Sequence, residues 1–170
     1  MTPKVLWITG LPGSGKTTTA KLICEQLKHN GKQVILLDGD EMRRVFGVAG
    51  GYSIEERKQL SYQYSRLAKM ISDQGHNVIV STVSLFHEIH DWNRKNINNY
   101  IEIYLDVDME TLKKRDQGQL YSSAQNGTLD KVVGINIAAE TPQNPDIRIT
   151  NDTQLDATSI AKMIIKSCNL

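Results

Sequence analysis

Short apolar runs alternate along the chain with longer segments in which apolar residues recur every three or four positions. The runs are typical of buried parallel strands, and they lie at Val5–Thr9, Gln33–Leu37, Asn77–Val83, Tyr100–Leu105 and Pro145–Thr150. The longer segments have the period of helices. A repeated strand and helix order predicts an α/β fold, with helices on both faces of a central, mostly parallel five-stranded sheet. In such sheets ligands bind at the carboxyl ends of the strands.

Two of the helical segments carry boundary signals. Thr17–His29 is followed by Asn30-Gly31, which is typical of a helix C-terminus. Ser53-x-x-Glu56 resembles a capping box and predicts a helix that runs to about residue 74. Leu155–Lys166 is predicted to be the closing helix.

A glycine-rich segment directly follows the first predicted strand. It matches the pattern G-x-x-x-x-G-K-[ST] with the residues Gly10, Leu11, Pro12, Gly13, Ser14, Gly15, Lys16 and Thr17. Glycines let the backbone N–H groups turn toward a phosphate, the lysine reaches the β- and γ-phosphates, and the hydroxyl of Thr17 binds Mg²⁺. With Thr18 at the start of the next helix, this segment predicts a site for ATP and Mg²⁺ in a three-layer P-loop NTPase fold.

Two carboxylates follow the second predicted strand, on the side of the sheet where the phosphate loop lies. Asp38 and Asp40 flank Gly39, and Arg43 comes one helical turn later. One interpretation is an Asp-Gly turn that only caps a helix. Beside a phosphate loop we favour a catalytic interpretation, in which Asp40 takes the proton of an attacking hydroxyl. Asp38 then supports the metal through water or holds a neighbouring arginine, and the sequence leaves both roles open.

Composition limits the classes of partner. The chain of 170 residues is 39% hydrophobic and 23% charged, which suits a single domain spanning residues 1–170. Its 20 basic and 19 acidic residues are interspersed and give a net charge of +1, so we expect no nucleic-acid partner. Without an apolar leader or a membrane-length run, we expect no membrane partner and a cytoplasmic protein. Cys24 and Cys168 lack zinc or disulfide spacing.

The ordered motifs resemble those of adenylyl-sulfate kinases over most of the chain, from residue 5 to about 152. After the phosphate loop come Asp38-Gly39-Asp40-x-x-Arg43, Gly51-Tyr52-Ser53, Val83-Ser84, Arg115-Asp116-x-x-x-Leu120-Tyr121 and Gly134-Ile135. The resemblance implies transfer of the γ-phosphate of ATP to the 3′-hydroxyl of a nucleotide acceptor. It also implies a homodimer and a lid over ATP at about residues 115–135.

The resemblance also implies roles for individual residues. Asp40 matches the catalytic base, and Lys16 serves the transferred phosphate. Arg115 matches a residue that stacks on the ATP adenine, and Thr17 is the implied magnesium ligand. The acceptor is expected to contact a set of residues drawn from five segments: Asp38, Arg43, Tyr52, Arg57, Val83, Ser84 and Val132.

The chain departs from the family pattern around the acceptor. Leu60 stands where the family has an Asn, and Val132 stands where it has a Phe that stacks on the acceptor adenine. An aromatic face contributes about 1–3 kcal/mol per stacked base. These changes favour a different nucleotide, and the cytidine diphosphoramidate kinases of bacterial capsule biosynthesis fit them. Adenylyl sulfate itself and a non-catalytic ATP-binding module are the alternatives.

Two histidines, His87 and His90, have helical spacing that would suit a metal ion. No third ligand lies near them in the sequence, so we expect surface or core roles for both. A GTPase switch is disfavoured because the chain has no N-K-x-D signature for guanine.

Overall fold

The computed structural model describes residues 2–47, 53–116, 119–127, 132–150 and 156–170. Within these ranges the strands are β1 Val5–Thr9, β2 Val34–Asp38, β3 Asn77–Ser81, β4 Tyr100–Asp106 and β5 Ile147–Thr150. The helices are α1 Lys16–His29, α2 Gly39–Val45, α3 Ile54–Asp73, α4 His87–Asn96, α5 Met109–Arg115, α6 Leu120–Gln125 and α7 Ala157–Ser167. None of these helices is both long enough and apolar enough to cross a membrane.

The strands form one sheet in the order β2-β3-β1-β4-β5. Every pairing within it is parallel, and β1 lies between β3 and β4. The predicted five-stranded sheet is therefore confirmed. Because β1 is central, the phosphate loop that follows it emerges between the ends of its two neighbours, where ligands bind in sheets of this kind.

Alternate residues of β1 face opposite layers of helices. Leu6 and Ile8 pack in a core with residues of α1 and α7. Val5 and Trp7 pack in a second core with residues of α2, α3 and α4. This alternation follows from the two-residue period of a strand, and burial on both faces explains the unbroken apolar run that predicted it.

Two predicted strand boundaries were wrong in ways that concern the site. β2 extends to Asp38, whose partner in the register is Ser81. β3 ends at Ser81, two residues before the predicted end at Val83, although the backbone N–H of Thr82 still donates to the carbonyl oxygen of Ile8 in β1 over 3.1 Å. Asp38 and Ser81 are therefore the last residues of their strands, at the edge of the sheet that faces the phosphate loop.

The helix boundaries follow the predicted signals closely. Ser53 and Glu56 form the expected capping box at the start of α3. Asp156 caps α7 by accepting a hydrogen bond from the backbone N–H of Ser159. Leu155, the predicted first residue of that helix, lies outside the described residues. The N-terminus of α1 differs from these, because Gly15 caps it in a left-handed conformation without a side-chain hydrogen bond.

Candidate active site

The backbone of the phosphate loop requires glycine where other backbone or side-chain atoms come close. A Cβ added to Gly10 would lie 2.7 Å from the carbonyl oxygen of Leu105 and 2.7 Å from Oγ of Ser14. Gly15 has a φ of 91°, which favours glycine. The loop therefore delivers the uncapped first turn of α1 to the carboxyl edge of the sheet, where backbone N–H groups and the helix dipole favour an anion.

Lys16 is buried inside this loop. Its Nζ donates a hydrogen bond of 2.8 Å to the carbonyl oxygen of Leu11 and lies 3.5 Å from Oγ of Ser14. Burial lowers the pKa of Lys16 from 10.5 to about 8, while the charges of Asp40 and Asp38 oppose this change. A buried ammonium group with a lowered pKa is one that an anionic ligand would stabilise.

Thr17 and Asp38 are in direct contact. The hydroxyl of Thr17 donates to Oδ2 of Asp38 over 2.8 Å and lies 3.4 Å from the hydroxyl of Ser81. The other carboxylate oxygen of Asp38 accepts a hydrogen bond of 3.1 Å from the backbone N–H of Asp40, which caps α2. Asp38 therefore performs the capping role of the simpler interpretation and also faces the hydroxyl that was predicted to bind metal.

A cleft of about 580 Å³ extends from the loop across the edge of the sheet. Most of the residues predicted for the site line it, namely Pro12, Gly13, Gly15, Lys16, Thr17, Thr18, Asp38, Asp40, Arg43, Arg57, Val83, Ser84 and Val132. Asp40 is exposed in the first turn of α2, whereas Asp38 is buried. The structure thus brings the predicted donor and acceptor residues of the described chain into one cavity.

Other predicted site residues lie elsewhere. Gly10 and Ser14 are not among the residues that line the cleft, and the side chain of Leu11 packs against residues of the segment 132–139. Arg115 is exposed at the end of α5, outside the residues that line the cleft. Tyr52 lies outside the described residues.

The cleft also contains the hydroxyl groups of Ser61 and Thr82, which the sequence interpretation missed. Oγ of Ser84 lies 2.7 Å from Oγ of Ser61 and 2.9 Å from Oγ1 of Thr82. Ser61 donates to the carbonyl oxygen of Arg57, four residues earlier in α3. That four-residue spacing places Ser61 and Arg57 on the same face of the helix, and this signal could have identified Ser61.

The aromatic ring of Tyr64 is a second missed feature of the cleft. Its hydroxyl donates to the carbonyl oxygen of Gly39 over 3.2 Å, and its ring stacks on Phe46 with centroids 6.1 Å apart. Burial raises the pKa of Tyr64 to about 12. The hydroxyl therefore remains a donor at neutral pH and ties α3 to the start of α2, where Asp40 lies.

The segment predicted to form a lid contacts the phosphate loop through Tyr121. Its hydroxyl donates a hydrogen bond of 2.6 Å to the carbonyl oxygen of Pro12, and its ring is buried beside Leu11 and Leu112. Asp116 accepts hydrogen bonds of 2.8 and 3.3 Å from the backbone N–H groups of Tyr121 and Ser122 in the first turn of α6. The Asp116 carboxylate thus orders the turn that carries this tyrosine.

Neither histidine of α4 points at the phosphate loop. Nε2 of His87 is 2.9 Å from the carbonyl oxygen of Thr141, at the surface. Nε2 of His90 is 2.9 Å from the carbonyl oxygen of Ser84, in the interior. The described residues contain no group of three or more side chains of the His, Cys, Asp and Glu types that could hold a metal ion.

Comparison with known proteins places this geometry in a family. The family model for adenylylsulphate kinase matches residues 2–150. The chain belongs to the adenylylsulphate kinase family. It is a phosphotransferase of that family, and kinases of this kind use ATP.

Relatives of two kinds resemble the chain over most of its length. A protein of Campylobacter jejuni named cytidine diphosphoramidate kinase is 42% identical over 168 residues, covering 99% of this chain and 98% of the relative. An adenylyl-sulfate kinase of Thermodesulfovibrio yellowstonii is 36% identical, covering 94% and 81%.

A solved structure has the same fold. The Mycobacterium tuberculosis APS kinase CysC, in complex with AMPPNP and APS, superposes with a TM-score of 0.91 at 29% identity, covering 99% of this chain and 98% of that one. The P-loop kinase fold predicted from the sequence is therefore confirmed.

Proposed function

We propose that the protein transfers the γ-phosphate of ATP to the 3′-hydroxyl of cytidine 5′-diphosphoramidate. The observation that carries this proposal is the 42% identity, over nearly the full length of both chains, with a cytidine diphosphoramidate kinase. The reaction would belong to the biosynthesis of a capsular phosphoramidate, and we expect it in the cytoplasm, where ATP is available.

The donor half of the cleft suits ATP bound with Mg²⁺. Lys16 and the N–H groups at the start of α1 would bind the β- and γ-phosphates. The hydroxyl of Thr17 and the carboxylate of Asp38 are oxygen donors, which Mg²⁺ prefers, and they lie 2.8 Å apart. These two residues would hold the ion, Asp38 through water, and the ion would neutralise phosphate charge.

The acceptor half supplies a base and two cations. Asp40 is solvent-exposed and lines the cleft, so its carboxylate can accept the proton of the attacking 3′-hydroxyl. Arg43 and Arg57 reach the same cavity from α2 and α3, and guanidinium groups suit the oxygens of a diphosphoramidate. Tyr52 is proposed beside the acceptor base on the family resemblance alone.

The walls of the acceptor half favour a base smaller than adenine. Leu60 and Val132 are both buried aliphatic side chains at the cleft, 5% and 4% exposed. Neither offers a flat ring for stacking. A pyrimidine has less surface to stack than adenine, so its binding depends less on an aromatic partner.

Adenylyl sulfate is the second candidate acceptor. It is favoured by the superposition on CysC, a structure that contains both AMPPNP and APS. Its sulfate resembles a phosphoramidate in size and charge, so Arg43 and Arg57 would suit either acceptor. The choice between the two acceptors therefore depends on how the cleft binds adenine or cytosine.

Competing acceptors test the proposal directly. The protein is incubated with ATP and Mg²⁺ and either cytidine 5′-diphosphoramidate or adenylyl sulfate, and ADP release is measured against a reaction without acceptor. Mass spectrometry and ³¹P NMR then locate the new phosphate. We expect the higher kcat/KM with the cytidine nucleotide. A higher kcat/KM with adenylyl sulfate would overturn the substrate assignment, and ATP binding without turnover on either acceptor would indicate a non-catalytic module.

Three further expectations accompany this function. Residues 115–135 would act as a lid over ATP, with Arg115 moving onto the adenine when the nucleotide binds. Residues 1–170 would form one domain. The family resemblance favours a homodimer, which light scattering coupled to gel filtration would detect.

A further inference from the structure

Ser84 has an unusual backbone conformation at the cleft. Its φ is 24°, a value that is uncommon for residues other than glycine, and Ser84 is only 6% exposed. Its hydroxyl faces Ser61 and Thr82 in the acceptor half. Conformations of this kind carry a cost and persist only where neighbouring groups hold them. The groups that bind the backbone of Ser84 therefore help to determine where this hydroxyl lies.

The carbonyl oxygen of Ser84 accepts hydrogen bonds from the backbone N–H of Phe86, over 3.0 Å, and from the side chain of His90. Nε2 of His90 lies 2.9 Å from it, and the histidine is 5% exposed. A carbonyl oxygen can only accept, so Nε2 must carry a proton. One residue thus has its backbone bound to α4 while its side chain faces the acceptor.

The other ring nitrogen of His90 meets a buried carboxyl group. Nδ1 lies 3.0 Å from Oε1 of Glu102, and Glu102 is 3% exposed. Both atoms are buried and have no other hydrogen-bond partner among the described residues. Two lone pairs would repel each other at this distance, so a proton must lie between them.

Glu102 is itself fixed on its other side. Its Oε2 accepts a hydrogen bond of 2.8 Å from Arg94, and its backbone N–H donates to Asp146 over 2.8 Å. Burial lowers the pKa of His90 to about 4 and raises the pKa of Glu102. Although the charge of Arg94 opposes the rise at Glu102, both directions favour two uncharged groups over an ion pair, so that Oε1–H donates to Nδ1.

We propose that His90 is a positioning residue for the acceptor, oriented by Glu102, and that it fixes the Ser84 hydroxyl in the cleft through the Ser84 carbonyl group. His90 does not line the cleft, so it acts through Ser84. It can affect catalysis only if Ser84 contacts the acceptor, so this assignment rests on the proposed function.

Steady-state kinetics of three variants test the role of His90. His90→Leu removes the donor, and we expect the KM for the acceptor to rise by about tenfold, the effect of one lost buried hydrogen bond. The KM for ATP should stay within about twofold of wild type, because the residues proposed to bind ATP are unchanged. His90→Gln can still donate to the Ser84 carbonyl and should bring the acceptor KM back to within about threefold of wild type.

Ile89→Ala is the matched control. Ile89 is buried on the same helix and packs in the core formed with α2 and α3, so its truncation destabilises the fold without removing the N–H group of His90. An equal rise of the acceptor KM in Ile89→Ala, or no rise in His90→Leu, would overturn the proposal. Failure of His90→Gln to improve on His90→Leu would do the same.

Glu102→Gln tests the shared proton. Its amide N–H can donate to Nδ1 while its oxygen accepts from Arg94, so we expect an acceptor KM close to that of wild type. Glu102→Leu should behave like His90→Leu. If Glu102→Gln also behaved like His90→Leu, the proton assignment would be wrong.

Imidazole ¹⁵N NMR gives a readout that does not need turnover. In the wild-type protein Nε2 of His90 should be protonated and Nδ1 should accept a hydrogen bond. An unprotonated Nε2 would overturn the positioning role even if every acceptor were a substrate. If wild type phosphorylated neither acceptor, the proposed function would fail, and this spectrum together with the Ser84 amide shift in His90→Leu would still decide whether His90 holds Ser84.

Discussion

Lys16 should make the protein less stable while it makes ATP binding possible. The perturbation is Lys16→Met, which keeps most of the buried aliphatic chain and removes the ammonium group. Lys16 is 9% exposed, and burial lowers its pKa from 10.5 to about 8. We expect the variant to unfold at a higher temperature than wild type in the absence of ATP.

The magnitude follows from the pKa of Lys16. A fall from 10.5 to about 8 corresponds to a cost of about 3 kcal/mol for holding the charge in the folded protein. The variant also loses the hydrogen bond to the Leu11 carbonyl, worth about 1 kcal/mol. The net gain is about 2 kcal/mol in the free energy of unfolding, or about 4–8 °C in Tm for a chain of this size.

The dependence on pH gives a second, sharper readout. Between pH 8 and 10.5 the unfolded chain binds a proton at Lys16 that the folded protein has lost, so wild-type stability rises with pH there. The cost of the buried charge is fully present below pH 8 and disappears as the pH approaches 10.5. The stability difference between the variant and wild type should therefore shrink over this interval, while other titrating groups cancel in the comparison.

Urea denaturation from pH 7 to 10, with and without ATP and Mg²⁺, measures both effects. Lys21→Met is the matched control, because Lys21 is exposed on the same helix and its loss should change stability by less than about 0.5 kcal/mol. ATP should stabilise wild type and the control but not Lys16→Met. A Lys16→Met protein less stable than wild type at pH 7, or a difference that does not vary with pH, would refute the reasoning.

Three other variants test the site. Asp40→Asn should lower kcat by about 10²–10⁴-fold, as expected for loss of a general base, with the Kd for ATP nearly unchanged; normal turnover would exclude Asp40 as the base. Tyr121→Phe removes the 2.6 Å hydrogen bond to Pro12 and should weaken ATP binding by about 3–10-fold in calorimetry, whereas Tyr62→Phe on α3 should not. Gly134→Ala introduces a Cβ 2.8 Å from Leu11 at a φ of 91° and should lower Tm more than Gly127→Ala, whose added Cβ meets open space at a φ of 70°; equal losses would mean that only backbone strain matters.

The position of the phosphate loop could be predicted from sequence because the loop is local. The loop and the first turn of α1 occupy consecutive residues, and hydrogen bonds such as Lys16 to Leu11 span only five positions. The apolar runs likewise identified all five strands, since both faces of the sheet are buried. A pattern read along the chain is sufficient where the contacts are short in sequence.

The acceptor half could be predicted only in part, because its contacts join distant segments. The hydroxyl of Tyr64 reaches Gly39 and that of Ser84 reaches Ser61, separations of 25 and 23 residues. The end of β3 was also predicted two residues too late, at Val83. A residue that lines a cleft and one that is buried in a sheet can have the same hydrophobicity, so the apolar pattern does not separate them. No local periodicity encodes such pairs, so they became visible only in the folded protein.

The separation of the two halves bears on how the enzyme selects its acceptor. Discrimination between two acceptors is a ratio of their kcat/KM values, and every interaction with ATP contributes equally to both, so it cancels. On the proposed function the difference would come from side chains near the acceptor base, and Leu60 and Val132 are aliphatic side chains that line the cleft. On the proposed function, Arg43, Arg57 and Asp40 would contact groups that the two acceptors share, namely the anionic 5′ substituent and the 3′-hydroxyl. We therefore expect similar KM values for ATP with either acceptor and a preference that changes on substitution of Leu60 or Val132. If the KM for ATP instead differed strongly between the two acceptors, the ATP side and the acceptor side of the cleft would be coupled.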